Sequence, residues 1–307
     1  MKPIPFLLLA FAACSPAFPG DSSKDAVADQ PVLGFVQDVK GGALRAILGV
    51  PDSPRFSDPI SLPEGLTLLA IAPGHEWALV VRENETGALE LPSLRYARIA
   101  DGRADKVAFS PSGRDVALYS ESSGAGAVHS GLPAEPRAGL RFETALAIRI
   151  AVSDGGRAVV CASRDAVNGT SESGSAYLGE SAAFTDFAFV PDSQSLLAYD
   201  RQSGMLTEYR DALEAGSAKR IGEPAPGMDL LAVSRDAITL AKSAGGVAML
   251  DRDGAALRAV ETPPIQSLQR MRLRSLRLLS HQSGEPAWLL LADGGLSGVP
   301  AVREVAQ

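Results

Sequence analysis

The sequence predicts an all-β fold assembled from repeated antiparallel hairpins, and three observations carry that prediction. First, the phrase KVAFSPSGRDVALYS at residues 106–120 reads as two strands around a tight turn. Val107, Phe109, Val116, Leu118 and Tyr119 are apolar or aromatic, and Ser110, Pro111, Ser112 and Gly113 stand between them with the residue types a turn demands. Second, comparable units surround Pro73 (LAIAPGHEWALVV), Asp154 (IAVSDGGRAVVCA), Pro191 (FAFVPDSQSLLAY) and Arg235 (LAVSRDAITLA), with a looser one at His281 (LRLLSHQSGEPAWLLL). Successive anchors lie 38, 43, 37, 44 and 46 residues apart. Third, no long stretch between the units carries a 3.6-residue periodicity, so helices should be few.

A period of about 40 residues with two visible strands leaves room for two more per copy, which is the layout of a β-propeller with four-stranded antiparallel blades. A glycine-led segment marks the third strand: Gly87-Ala88-Leu89, Gly126-Ala127-Val128, Gly174-Ser175-Ala176, Gly204-Met205-Leu206 and Gly246-Val247-Ala248. Gly42-Ala43-Leu44 after VLGFVQD and Gly295-Leu296-Ser297 after AWLLLAD bring the count to seven. Seven blades are therefore expected, with six as the alternative because only six first strands are visible. In the seven-blade reading VPAVREV (residues 299–305) pairs beside the N-terminal strands and closes the ring, removing the free sheet edges that invite aggregation. Phe109 and Leu118, on facing strands, are expected to be buried between blades.

The chain divides into residues 1–17 as a secretory signal, 18–30 as a flexible tether and 31–307 as one propeller domain. Lys2 precedes an apolar run at residues 4–13, too short to span a bilayer but suited to a signal's hydrophobic region. Two cleavages compete. Ser15-Pro16-Ala17 suits signal peptidase, whereas Phe11-Ala12-Ala13-Cys14 resembles a bacterial lipobox with Phe in the place of the usual Leu, making Cys14 a lipidation candidate. The expected location is exported: periplasmic, anchored to the outer membrane as a lipoprotein, or extracellular. Of the two cysteines, Cys161 then has no partner, and its apolar setting (RAVVCAS) reads as a buried, inert thiol.

Hydrophobic residues make up 46% of the 307 and charged residues 21%, which excludes a disordered chain. The net charge of −7 and the absence of a long basic run argue against a nucleic-acid surface.

The phrase VAFSPSGRDVALYS, echoed by IAVSDGGRAVVCAS and FAFVPDSQSLLAYD, resembles the bacterial WD-repeat-like propeller motif of Tol-system and related envelope propellers over about residues 31–305. The Gly-His opening and Trp-Asp ending of eukaryotic WD repeats do not recur. The resemblance implies an envelope module that binds a protein, a sugar or a small ligand. A monomer is expected.

Chemistry is sparse. His75 and His281 sit in or beside turns and His129 in a third strand, without the Cys or His neighbours that a strong metal set requires. Asp154, Asp192 and Asp236 occupy turns, where the simplest role is bonding to their own backbone. A channel lined by acids could bind calcium, yet the first strands read LLAIA, VAFS, IRIAVS, FAFV and LLAVS, without acids. No Gly-x-Ser-x-Gly elbow appears, and GTSESGS (residues 169–175) reads as a turn rather than a phosphate loop. Trp77 and Trp288 are assigned to second strands. No cofactor, metal or catalytic residue is assigned. QRMRLRSLRLL (residues 269–279) alternates arginines with apolar residues, as a strand does. Arg270, Arg272 and Arg274 are candidate binding residues for an acidic partner or lipid head groups, against the plainer reading of a solvated strand face. The functional expectation is an exported, non-enzymatic binding or assembly module of the cell envelope. The alternative is a propeller hydrolase or lactonase with a metal ion in its channel. Membrane contact is expected only through a lipid on Cys14.

Overall fold

The computed structural model describes residues 31–37, 43–210, 218–222, 226–265, 267–270, 277–280, 288–290 and 296–298. A three-stranded sheet comes first, with β1 (Val32–Gln37), β2 (Leu44–Val50) and β3 (Ser53–Phe56). Blade I contains β4 (Leu66–Ile71), β5 (Trp77–Arg82), β6 (Glu85–Glu90) and β7 (Tyr96–Asp101). Blade II contains β8 (Lys106–Phe109), β9 (Val116–Ser120), β10 (Ala125–Ser130) and β11 (Arg137–Glu143). Blade III follows as β12 (Arg149–Val152), β13 (Ala158–Ala162), β14 (Ala166–Ser171) and β15 (Gly174–Glu180). Blade IV has β16 (Asp186–Phe189), β17 (Leu196–Tyr199), β18 (Leu206–Tyr209) and β19 (Ala218–Ile221). Blade V has β20 (Leu230–Val233), β21 (Ile238–Ala241), β22 (Val247–Leu250) and β23 (Ala256–Val260). Blade VI has β24 (Ser267–Arg270), β25 (Arg277–Ser280), β26 (Trp288–Leu290) and β27 (Leu296–Gly298). All pairings are antiparallel between consecutive strands.

The second strands explain why the repeat is legible. WALVVR, VALYS, AVVCA, LLAY and ITLA are apolar almost throughout because both faces of each strand pack on a neighbouring blade. Alternate side chains serve alternate seams. Leu196 and Ala198 join Val160 and Val167 of blade III, whereas Leu197 and Tyr199 join Leu231 and Leu240 of blade V. Between blades I and II, Trp77 and Leu79 meet Val116 and Leu118. Leu118 is buried as expected, but Phe109 is only half-buried, on the inner rim of that seam. Phe109→Ala should therefore cost less than the 3–5 kcal/mol typical of a fully buried phenylalanine, about half that figure in a denaturant titration.

The expectation of seven four-stranded blades is corrected to six. VLGFVQ does form a strand, but its sheet has three strands, not four. The miscount has a physical origin. In blade VI, RLLS (Arg277–Ser280) is the second strand and WLL (Trp288–Leu290) the third, so Gly295 comes before the fourth strand in sequence and marks no additional second-to-third hairpin. Trp288 accordingly lies in a third strand. Gly174 likewise opens a fourth strand, because the third strand of blade III is the polar AVNGTS, which carries little apolar signal. The closing segment at residues 299–305 lies outside the described residues.

At the ends of the first strands a second rule recurs. The residue preceding the strand caps the turn after the second strand: Asp105 Oδ2 accepts from the Glu121 N–H (2.8 Å), Thr185 Oγ1 from Arg201 (2.8 Å) and Asp229 Oδ2 from Ser243 (2.8 Å). Burial raises the Asp229 carboxyl, but the Ser243 hydroxyl and N–H and the Arg201 guanidinium outweigh it and hold the group below the usual carboxylate range. Blade III carries Ile148 at this place, 62% exposed.

Candidate functional site

The turns between first and second strands of blades I to V gather around one concavity of about 860 Å³, the mouth of the channel. The turns of blades II to V are each built locally by a serine side chain. Ser153 Oγ accepts from the Ala158 N–H (3.0 Å) and Ser234 Oγ from Ala237 (3.1 Å), holding the hairpin ends together.

The turns are also fastened to one another, blade by blade. His75, buried and in the left-handed region at φ 57°, accepts the Phe35 N–H of the three-stranded sheet on Nδ1 at 2.8 Å. That acceptor role places the proton of the neutral ring on Nε2. Trp77 of blade I donates Nε1–H to the Gly113 carbonyl of blade II at 2.7 Å. Asp115 of blade II accepts the Gly155 N–H of blade III at 2.9 Å. Asp154 then bridges both ways, Oδ1 accepting from Ser112 of blade II (2.7 Å) and Oδ2 from Asp192 of blade IV (2.8 Å). Asp192, at φ 59°, passes the chain on to Arg235 of blade V at 2.8 Å.

This arrangement changes the reading of Asp154. Its carboxylate ties two neighbouring blades rather than its own turn. Asp154→Ala should cost about 1–2 kcal/mol in a denaturant titration, since two backbone donors lose a charged acceptor while remaining open to water. Asp192 and Asp236 line the concavity as well, joined by Glu76 and Arg114, which sequence reasoning missed. Their shared offset was the available signal, because Glu76 and Arg114 each stand three residues after the proline of their turn, Pro73 and Pro111. Among the described residues Glu76, Arg114 and Asp236 have no ion-pair partner, so three charged side chains face the cavity uncommitted.

The other candidates fall elsewhere. His129 is buried in β10, where burial holds its ring below the usual histidine range, and its Nδ1 has no hydrogen-bond partner. His281 lies outside the described residues. Burial pushes the Cys161 thiol up to about 12, which fits an inert side chain. The first strands are not free of acids: Asp186 opens β16, buried. Among the described residues no three or more of His, Cys, Asp and Glu converge as metal ligands. Arg270 ends β24 in register with Arg277 of β25, and Arg272 and Arg274 lie outside the described residues.

No family model matches the chain, and neither does any curated protein. Solved structures do. A functionally unknown protein from Desulfotomaculum acetoxidans superposes with a TM-score of 0.59 at 10% identity, covering 88% of this chain and 99% of that one. A streptogramin B lyase matches at 0.53 and 12% identity over 85% and 87% of the two chains. Hsv2 from Kluyveromyces lactis matches at 0.55 and 10% identity over 71% and 70%. At such identities these likenesses establish the β-propeller repeat fold and nothing finer.

Proposed function

We propose that this protein is an exported, non-enzymatic β-propeller that binds a protein segment or small ligand at its channel mouth, as a binding or assembly module of the cell envelope. The observation that carries the reading is the mouth itself. Its turns are held across four consecutive blade seams, while Glu76, Arg114 and Asp236 are left to face the cavity. A rigid frame with uncommitted charges loses little entropy on binding. The repeat phrases that resemble envelope propellers, together with the signal-like residues 1–17, support the location. Mass spectrometry of the mature N-terminus should find either a lipidated Cys14 or a start near Phe18, and an intact Met1 in the native host would overturn export.

The binding test is a pull-down from native envelopes with Arg114→Glu and Asp236→Lys in one variant and Arg270→Gln, Arg272→Gln and Arg274→Gln in another. Loss of capture of a defined partner at least tenfold in the first variant alone, with unchanged melting, is expected. Loss in the second alone would move the site to the arginine run. A stoichiometric, tightly held divalent ion in the purified protein would favour the metal-dependent hydrolase instead.

A further inference from the structure

Asp186 stands on the face of β16 opposite to Phe187 and Phe189, which fill the seam with blade III, and its side chain is 1% exposed. Its Oδ2 accepts the Leu231 N–H of β20 at 2.7 Å. Its Oδ1 lies against the Arg149 guanidinium from the start of β12, a pairing of charge on charge with no hydrogen bond aligned on that oxygen. One carboxylate thus connects the first strands of three blades. Arg149 passes 5.7 Å from the centre of the Phe187 ring, and its side chain is 40% exposed. The other titratable or charged groups around Asp186 are Tyr199, opposite it in register, and Asp229 just before β20, whose charge Arg201 takes at 2.8 Å.

We propose that Asp186 and Arg149 form an acid-responsive latch: a proton on Asp186 ends the charge pairing and releases Arg149 to solvent, at the channel end away from the mouth, with the fold intact. The proton comes from solvent to Oδ1, the oxygen without an aligned donor. Oδ2 goes on accepting the Leu231 N–H, so the tie between blades IV and V survives. Arg149 keeps its charge, and this end of the channel becomes more positive by one. Burial raises the Asp186 carboxyl to about 6, against the lowering effects of Arg149 and the backbone donors, so the latch works in mild acid. Because the folded value lies above the ordinary one, the group's contribution to stability is complete below about pH 4 and is lost as pH rises through about 6. Mild acid therefore opens the latch while stabilising the protein through this group.

The test is a carbon-13 titration of the Asp186 carboxyl with the Arg149 Nε resonance followed in the same samples. A shared midpoint near 6 is expected. Asp186→Asn should hold the Arg149 resonance at its acid position at every pH. Arg149→Gln should move the Asp186 midpoint upward. Relative to Asp186→Asn, the wild-type Tm should rise between about pH 7 and about pH 5. A midpoint near the ordinary carboxylate value, or an Arg149 resonance indifferent to the Asp186 titration, would overturn the proposal. Should Asp186→Asn fail to fold, Arg149→Gln decides alone: an upward shift supports the latch and an unmoved midpoint ends it.

Discussion

Trp77→Ala should destabilise the protein by about 3–5 kcal/mol, with an unchanged m-value in denaturant titration. Trp77 is 2% exposed at the first position of β5 and meets Phe109 edge-on with ring centroids 5.2 Å apart. Truncation opens a cavity between blades I and II that backbone held by four-stranded pairing has little freedom to fill. It also removes the donor to the Gly113 carbonyl. Trp77→Phe largely separates the two contributions, since it keeps most of the buried aromatic surface while removing the hydrogen bond. Its cost should be about 1–2 kcal/mol. Equal losses for the two substitutions would mean that packing in this seam contributes nothing.

Gly113→Ala should cost about 2–5 kcal/mol, although it adds a single methyl group. Gly113 sits at φ 73°, where an L-residue carries roughly 1–2 kcal/mol of strain. A Cβ there would stand 2.4 Å from the Pro73 carbonyl oxygen, a backbone atom of the neighbouring blade. Relieving that overlap moves two blades apart and adds the roughly 1–3 kcal/mol typical of overpacking. Gly102 supplies the control: its φ is 85°, but nothing lies within 4 Å of the position its Cβ would take. Gly102→Ala should show the strain alone, about 1–2 kcal/mol by the same titration. If the two alanines cost the same, close approach of the blades at Pro73 is not what requires glycine.

The propeller repeat was legible because its second strands are buried on both faces and stand out as apolar runs between turn residues. The phase of blade VI was not. LRLL and WLLL are equally apolar, so either can be taken for a first strand followed by a second, and the blade count inherited that ambiguity. AVNGTS went unrecognised for the opposite reason: β14 has half-buried Ala166, Asn168, Thr170 and Ser171 beside buried Val167 and Gly169, and its polar residues resemble a loop. At the mouth, the turns holding His75, Asp154 and Asp192 could be located from their spacing. Their partners could not, because the donors are mostly backbone amides some 40 residues away, and a main-chain N–H leaves no mark in composition. Asp186 escaped notice by its position as the first residue of a strand, where an acid reads as the end of a loop.

The bridge made by Asp154 has a bearing on how this surface can diverge. Ser112 and Asp192 enter the bridge through their main-chain N–H groups, and every residue except proline offers one. The bridge therefore survives most side chains at position 112, with the weak turn bond from the Arg114 N–H to the Ser112 hydroxyl (3.3 Å) depending on serine. Position 192, in the left-handed region, favours glycine, asparagine or aspartate. Descendants of this chain can change what the rim presents by single substitutions at residue 112 or at the uncommitted Glu76, Arg114 and Asp236. The spacing of the blades would be inherited unchanged from one carboxylate at 154.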